Sequence, residues 1–363
     1  MNKKAVALLS GGLDSTLAVK VMLEQGIDVV ALNFTSAFCT CNCRDSTCRS
    51  EAIRVANEFG ITIKVLQKGL DYIEVVRNPK YGYGQGINPC VDCRIYMHKL
   101  AKKYMEETGA SFIVTGEVLG QRPMSQRRDA FKSIERESGL QGLIVRPLCA
   151  KHLEPTIPEK MGIIDRERLL DMIGRSRKPQ ISLADELDIQ NYPCPSGGCL
   201  LTDKIFSKKV RDLLGHKKDV TSKDLHILKV GRHFRVNEDI KVVIGRDEAD
   251  NKKLRNLIQA GDTLIEPLGF PGPTAMICGP LKNGTQNLVG RMILRYTGEK
   301  ANGKRTFKLS RDTEETVFEV DPVRSLHNIE SNKSTNQSGN FDTETSNWVD
   351  SPLEDEVLRG MMV

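Results

Sequence analysis

Short apolar segments alternate with amphipathic helical patterns through the first half of the chain, and this alternation limits the folds that the chain can adopt. Strands linked by helices pair in parallel, with helices on both faces of the sheet. We therefore predict an α/β domain with a doubly wound parallel sheet, whose ligand binds beyond the carboxyl ends of the strands. The predicted strands are residues 5–9, 29–34, 62–66, 112–114 and 143–146, and the predicted helices are 15–24, 48–59, 91–107 and 127–137.

The first predicted strand ends in the turn SGGLDST, which starts at Ser10. Glycines bring backbone N–H groups close to a ligand, and a helix N-terminus adds free donors and partial positive charge, so a phosphate fits there. The turn is not a Walker loop, because Gly-Lys-[Ser/Thr] is absent at that spacing. An ordinary capped strand–turn–helix corner is the alternative. Phe34 and Gly116, which lie at the ends of two other strands, are expected at the same edge of the sheet.

The length of the chain predicts two domains, and its cysteine content predicts thiols that bind a metal or take part in catalysis. A length of 363 residues is typical of two domains with additional segments. The first apolar run is too short for a secretory signal, and no later run approaches the length of a membrane helix. We therefore expect a cytoplasmic protein without a membrane partner, in which the 10 cysteines serve metal binding or catalysis rather than disulfides.

The second half of the chain differs in charge and pattern. Lysines and arginines crowd into residues 204–235, and β-like segments follow at 241–244, 288–296, 306–309 and 317–320. The chain then becomes polar and finally acidic, which is typical of disorder. We predict domains at 1–203 and 204–326, the second being a smaller α+β domain, and a disordered tail at 327–363.

The cysteines fall into three groups with different chemistry. Cys90 and Cys93 form a C-x-x-C pair before a helix, and such a pair alone is compatible with redox, zinc or iron–sulfur roles. Cys194 and Cys199 form the second group. The third group is a candidate Zn²⁺ site made of Cys39, Cys41, Cys43 and Cys48. Two further cysteines, Cys149 and Cys278, are interpreted as small buried hydrophobes.

The SGGLDST turn resembles the PP-loop of the ATP pyrophosphatases, whose fold is of the adenine nucleotide alpha hydrolase type. These enzymes cleave ATP between the α- and β-phosphates and transfer AMP to an oxygen of the substrate. The resemblance implies that Asp14 lies near Mg²⁺ and the reacting phosphate. It also implies that pyrophosphate is held by Ser10, Gly11, Gly12, Ser15 and Thr16.

Three further motifs resemble enzymes that thiolate tRNA. TGEVLGQRPMSQ, which begins at Thr115, is similar to a stretch of the tRNA 4-thiouridine synthetases, and NPCVDC and PSGGC are similar to the two cysteine sites of the tRNA 2-thiouridylases. The resemblance implies that Cys93 and Cys199 are the working pair. A cysteine at position 90 matches the iron–sulfur-dependent tRNA thiolases. We expect no N-terminal tRNA-reading extension, no rhodanese domain and no β-barrel of the kind found in these relatives.

Two mechanisms for the cysteines stay open. In the first, Cys90, Cys93 and Cys199 hold a [4Fe–4S] cluster that carries sulfide on its open iron, although Cys194 could close the cluster as a fourth ligand. In the second, Cys199 carries a persulfide and Cys93 resolves it without metal.

The segment HILKVGRHFRV, with the KVVIGRDEADNKKL that follows it, resembles the NFACT-type RNA-binding module of ribosome quality-control proteins. Basic side chains suit a phosphate backbone, and Phe234 suits a stacked base. A solvated basic face is the alternative. The candidate RNA contacts are Lys208, Lys209, Arg211, Lys217, Lys218, Arg232 and Arg235.

Together these resemblances imply an ATP-dependent tRNA sulfurtransferase that adenylates a uridine carbonyl oxygen and replaces it with sulfur. We favour 4-thiouridine at tRNA position 8 over 2-thiouridine at position 34. An RNA-binding protein that senses ATP without thiolating is the alternative from another class. The expected partners are tRNA and a sulfur donor (sulfide or a cysteine desulfurase), with a homodimer as the candidate oligomer.

Overall fold

A computed structural model of the chain describes residues 1–39, 48–193, 199–282, 284–297, 303–321 and 360–363. The chain divides into two compact units, Met1–Ser207 and Lys208–Val363. Most of the predicted tail at 327–363 lies outside the described residues. No helix in the described ranges is both long enough and apolar enough to cross a membrane.

The first unit contains a five-stranded parallel sheet with the strand order β3-β2-β1-β4-β5. Its strands are β1 (Lys4–Leu8), β2 (Asp28–Thr35), β3 (Ile63–Gln67), β4 (Phe112–Thr115) and β5 (Ile144–Val145). Its helices are α1 (Leu13–Glu24), α2 (Cys48–Glu58), α3 (Tyr72–Arg77), α4 (Cys90–Thr108), α5 (Arg128–Ser138), α6 (Ile157–Lys160) and α7 (Lys178–Glu186). The predicted α/β class and parallel sheet are confirmed.

Both faces of this sheet are covered, which explains why its central strand is apolar throughout. Successive residues of a strand point to opposite faces. Accordingly, Ala5 and Ala7 of β1 join a hydrophobic core that includes residues of α1, α2 and α7, whereas Val6 joins a separate core with residues of α4. The order of the strands reverses direction at β1, so the ends of β1 and β4 form the switch point at which such folds bind ligands.

The second unit contains a six-stranded sheet with the order β11-β10-β8-β9-β7-β6, in which every pair is antiparallel. Its strands are β6 (Arg232–Arg235), β7 (Lys241–Ile244), β8 (Thr263–Pro267), β9 (Ala275–Cys278), β10 (Arg305–Arg311) and β11 (Glu314–Val320). Its helices are α9 (Ser222–Ile227), α10 (Glu248–Leu257) and α11 (Thr285–Arg295), and α8 (Lys204–His216) crosses the boundary between the units. The second domain is therefore α+β, as predicted.

Two predictions for the second unit are wrong. The apolar run at 288–296 is not a strand but belongs to α11, whose buried residues Val289, Met292 and Ile293 follow helical spacing and pack in the core. Phe234 is not available to stack on a base, because its side chain is only 1% exposed and lies in that same core. At the sheet edge, Met362 pairs with Phe234 in an antiparallel bridge.

Candidate active site

The SGGLDST turn follows β1 and forms the N-terminus of α1. Gly11 has a φ of +78°, and a Cβ there would lie 2.6 Å from the backbone nitrogen of Ala52, so only glycine fits this position. The Ser10 backbone N–H donates to the Ser15 hydroxyl over 3.2 Å, and the Ser15 hydroxyl donates to the Gly12 carbonyl over 2.9 Å. Gly12, at the start of the helix, contributes no side-chain cap. The turn is therefore a preformed cradle with free helix N–H groups, which suits an anion.

Asp14 lies at the switch point between β1 and β4. The Gln121 amide donates to its Oδ2 over 3.1 Å, whereas its Oδ1 is buried without a hydrogen-bond partner. Gly116 packs so closely that a Cβ there would lie 2.5 Å from the backbone of Asp14. Because a buried carboxylate oxygen without a partner is costly, Oδ1 marks a position where a cation or a ligand donor would be stabilised.

The neighbouring strand β2 ends beside the same turn. The Asn33 side-chain amide donates to the Leu9 carbonyl over 2.8 Å, which fixes the end of β2 against the end of β1. Phe34 is partly buried and packs against the core on the α4 face. Ser10, Asp14 and Gly116 thus lie together at the switch point, and Phe34 lies one strand away, at the end of β2.

Cys93 lies in the first turn of α4 and contacts two polar side chains. The Lys68 ammonium donates to its sulfur over 3.0 Å, and Lys68 also lies 4.6 Å above the ring of Tyr72. Burial raises the pKa of Cys93, but the Lys68 charge and the Tyr72 hydroxyl outweigh burial, so the pKa lies below its ordinary value. A thiol in this environment is available as thiolate, the nucleophilic form.

Cys90 and Cys199 have raised pKa values, in contrast to Cys93. Burial, and then the nearby Cys93, raise the pKa of Cys90, whose sulfur accepts the Asn88 amide over 3.0 Å. Burial raises the pKa of Cys199 to about 12, and its thiol donates to the Phe38 carbonyl over 3.5 Å. At neutral pH these two cysteines are therefore thiols, and Cys93 differs from both.

The first turn of α4 lies at the carboxyl edge of the sheet. Cys93 contacts Lys68, which directly follows β3. The next residue, Arg94, pairs with the buried Glu117 just after β4 over 3.5 Å. Since β2 and β1 lie between β3 and β4 in the sheet, these two contacts place Cys93 at the same edge as Asp14.

The metal predictions have little support in the described part of the chain. Among the described residues, no group of three or more His, Cys, Asp or Glu side chains could hold a metal ion. The zinc prediction rests on Cys39, Cys41, Cys43 and Cys48, of which only the Cys39 side chain is described. Cys194 also lies outside the described residues. Cys149 is fully buried, as interpreted from the sequence, and Cys278 is partly buried.

The predicted RNA contacts divide into exposed and internal side chains. Lys209 is buried and donates to the Gly231 carbonyl over 2.9 Å, and Arg235 makes two hydrogen bonds to Asp212. Arg232 is half-buried. The exposed members are Lys208, Arg211, Lys217 and Lys218. Lys209 and Arg235 therefore already serve the fold of the second unit, and the exposed members are the better candidates for phosphate contacts.

Sequence reasoning missed Lys68, Tyr72 and Gln121. Lys68 could have been found, because it lies two residues after the predicted strand 62–66 and so at the ligand-binding edge of a parallel sheet. Tyr72 and Gln121 carried no comparable signal, since nothing local marks a tyrosine that bonds a cysteine 21 positions later in the sequence.

Two family models match separate parts of the chain. Residues 1–158 match the family described as "Thiamine biosynthesis protein (ThiI)", and residues 231–330 match the "NFACT protein RNA binding domain". The chain is 27% identical over 307 residues to the tRNA-specific 2-thiouridylase MnmA of Clostridium acetobutylicum, which covers 74% of this chain and 84% of that relative.

Two other similarities are more local. The chain is 33% identical over 118 residues to a probable tRNA sulfurtransferase of Methanothermobacter thermautotrophicus, covering 32% of this chain and 30% of that relative. A solved structure of a 4-thiouridine synthetase–RNA complex with bound ATP is 23% identical, with a TM-score of 0.34, and covers 62% of this chain and 52% of that chain. Residues 1–158 are therefore similar to the ThiI family, and residues 231–330 are similar to the NFACT RNA-binding domain.

Proposed function

We propose that the protein is an ATP-dependent tRNA sulfurtransferase that converts a uridine carbonyl to a thiocarbonyl. One observation carries the proposal. The first turn of α4 brings Cys93, with its lowered pKa, to the same sheet edge as the SGGLDST turn and Asp14. A site for ATP and a reactive thiol thus share one edge, which is what activation of an oxygen followed by its replacement with sulfur requires.

In the first step, the uridine carbonyl oxygen attacks the α-phosphorus of ATP. The oxygen–phosphorus bond forms as the bond to pyrophosphate breaks, and the uridine becomes adenylated. The N–H groups at the start of α1 and the hydroxyls of Ser10, Ser15 and Thr16 stabilise the charge of the departing pyrophosphate. The unpartnered Oδ1 of Asp14 fits a Mg²⁺ ion, which when bound would neutralise phosphate charge.

In the second step, sulfur replaces the activated oxygen. A persulfide on Cys199 attacks the uridine carbon through its terminal sulfur, and AMP leaves with the former carbonyl oxygen. The Cys93 thiolate then attacks the Cys199 sulfur, which forms a Cys93–Cys199 disulfide and releases the thiouridine. An external dithiol reduces this disulfide, and a sulfur donor (sulfide with an oxidant, or a cysteine desulfurase) restores the persulfide. The lowered pKa of Cys93 supports its role as the attacking thiol.

The described thiols do not fit a [4Fe–4S] cluster as they stand. Among the described residues, Cys90, Cys93 and Cys199 do not form a group that could hold a metal ion. We therefore derive no step through a cluster. The two schemes differ at Cys90, which is a required ligand in the cluster scheme and dispensable in the thiol scheme.

The test is made on tRNA from a strain in which the gene is replaced by variants. Loss of one thiolated nucleoside on deletion, measured by mass spectrometry of total tRNA, supports the proposal. Its identity as 4-thiouridine or 2-thiouridine selects between positions 8 and 34. Under the thiol scheme, Cys93→Ala abolishes thiolation, Cys90→Ala retains it, and Cys278→Ala in the second unit serves as the matched control.

An ATP-sensing RNA-binding protein without thiolation activity is distinguished in the same strain and in vitro. Such a protein leaves every thiolated nucleoside at its normal level on deletion and forms no AMP when tRNA is added. Loss of thiolation in Cys90→Ala, together with iron in the purified enzyme, would overturn the thiol scheme while leaving the sulfurtransferase proposal intact.

A further inference from the structure

The second unit contains a cavity that the ATP and thiol chemistry does not use. Its volume is 340 Å³, which is at the lower end of the range for small-ligand sites. Its walls come from the start of β6, the end of β7, the start of α10, the loop between β8 and β9, and the end of α11. The lining includes Arg232, Arg246, Glu248, Pro271, Pro273 and Tyr296.

One side of the cavity is a stacked pair. The Arg232 guanidinium carbon lies 4.5 Å from the centre of the Tyr296 ring, and the same guanidinium donates to the Gly245 carbonyl over 3.2 Å. The stack and the hydrogen bond together fix the orientation of the guanidinium. A fixed guanidinium plane on an aromatic ring is a platform on which an unstacked base can stack.

The other charges around the cavity argue against a phosphate. Arg246 is paired with Asp250 over 2.6 Å, and Glu248 is paired with Arg255 over 2.9 Å. Asp247 accepts the Asp250 backbone N–H over 2.8 Å and so caps α10 at the cavity wall. The carboxylates of Asp247 and Glu248 repel a phosphate and can accept the amino group of a base, and the Arg246 cation is already paired with Asp250.

We propose that this cavity binds one unstacked nucleobase of a single-stranded RNA segment, with Arg232 and Tyr296 as its stacking platform and Pro271 and Pro273 as apolar walls. The inference rests on the proposed RNA binding by the second unit, and it adds a base subsite to the phosphate contacts of the exposed lysines. It also replaces Phe234, which is buried, as the aromatic group that contacts RNA.

The test uses the full chain and compares a single-stranded RNA oligonucleotide with a blunt RNA duplex of equal length. Arg232→Lys keeps the positive charge but removes the plane, so we expect affinity for the single strand to fall about 5- to 100-fold. Duplex affinity and the salt dependence of binding should stay as in the wild type. Tyr296→Leu, which keeps an apolar side chain in the core, should show the same selective loss.

Lys208→Ala is the matched control, because it removes an exposed charge without touching the cavity. It should weaken single-strand and duplex binding alike and reduce the salt slope by about 0.7 to 0.9. Thermal unfolding checks that each variant remains folded.

Two outcomes would overturn the base subsite while leaving RNA binding intact. Arg232→Lys and Tyr296→Leu could bind the single strand as tightly as the wild type, which would mean that Arg232 acts only through its charge. Alternatively, both variants could lose single-strand and duplex affinity equally while remaining folded. Failure of the wild-type chain to bind either RNA would instead overturn both this inference and the proposed RNA binding.

Discussion

Two aspartates, partly buried Asp14 in the first unit and buried Asp212 in the second, differ in how many of their carboxylate oxygens have partners. Asp14 in the first unit has one carboxylate oxygen bonded to Gln121 and the other without a partner. Asp212 in the second unit has both oxygens bonded, by the Arg235 guanidinium and the Lys241 ammonium. Asp212, with both oxygens bonded, stabilises the fold, whereas Asp14 keeps one oxygen for a ligand. We therefore expect mutations at Asp212 to change stability and mutations at Asp14 to change activity.

The largest effect is expected from Asp212→Ala. It would leave Lys241 buried without its counter-charge, and breaking a buried pair on one side costs about 3–5 kcal/mol of unfolding free energy. Chemical denaturation followed by circular dichroism measures this change. Asp219→Ala, an exposed acid in the same segment, is the matched control and should change stability by less than about 0.5 kcal/mol. Equal effects of the two substitutions would contradict the assignment of Asp212 to the fold.

For Asp14→Ala we expect a loss of activity with little change in stability. Removal of the carboxylate should lower the rate of AMP formation about 10²–10³-fold, because a preorganised charge at the reacting phosphate is lost. The unfolding midpoint should stay close to that of the wild type, since Asp14 has only one hydrogen bond to lose. AMP release from ATP with tRNA present measures the rate. AMP formation at the wild-type rate would contradict the assignment of this turn as the ATP-binding site.

The same contrast shows how far sequence reasoning reached. The parallel sheet and the glycine turn after β1 were predictable, because the hydrophobic period, the strand ends and the glycine positions are local signals. In the sequence, the apolar run at 288–296 favours a strand because Leu288, Met292 and Leu294 fall at even spacing. The helix buries Val289, Met292 and Ile293 instead, and this choice of face depends on the rest of the core. The contact of Lys68 with Cys93 joins two segments 25 positions apart and depends on the tertiary fold. Which groups remain unpartnered, as at Asp14, is likewise visible only in three dimensions.

Acid should affect the second unit through Asp212. Burial would raise the pKa of this carboxyl, but Arg235 and Lys241 lower it to about 2, from an ordinary value of 3.8. The stability contributed by this depressed pKa is complete above the ordinary pKa and is lost as the pH falls from about 4 to 2, amounting to roughly 2 kcal/mol. Unfolding midpoints measured across this range for wild type and Asp212→Asn test the sign. The wild type should lose more stability than the variant, and parallel curves would contradict the prediction.

The smallest effect is expected at the Cys93 thiol. Its pKa is lowered, whereas the pKa values of Cys90 and Cys199 are raised. Lys68→Met removes the cation that lies 3.0 Å from the Cys93 sulfur, so the pKa of Cys93 should rise and its thiolate fraction at neutral pH should fall. Alkylation by iodoacetamide, followed at each cysteine by mass spectrometry, should slow at Cys93 and shift to higher pH.

Cys199 should react slowly in both proteins, because its pKa is about 12. Lys64→Met, which removes a lysine of β3 paired with Glu107, is the matched control and should leave Cys93 unchanged. An equal alkylation rate of Cys93 in Lys68→Met and wild type would show that another group sets the reactivity of this thiol, and Lys68 would then lose its role in the second step.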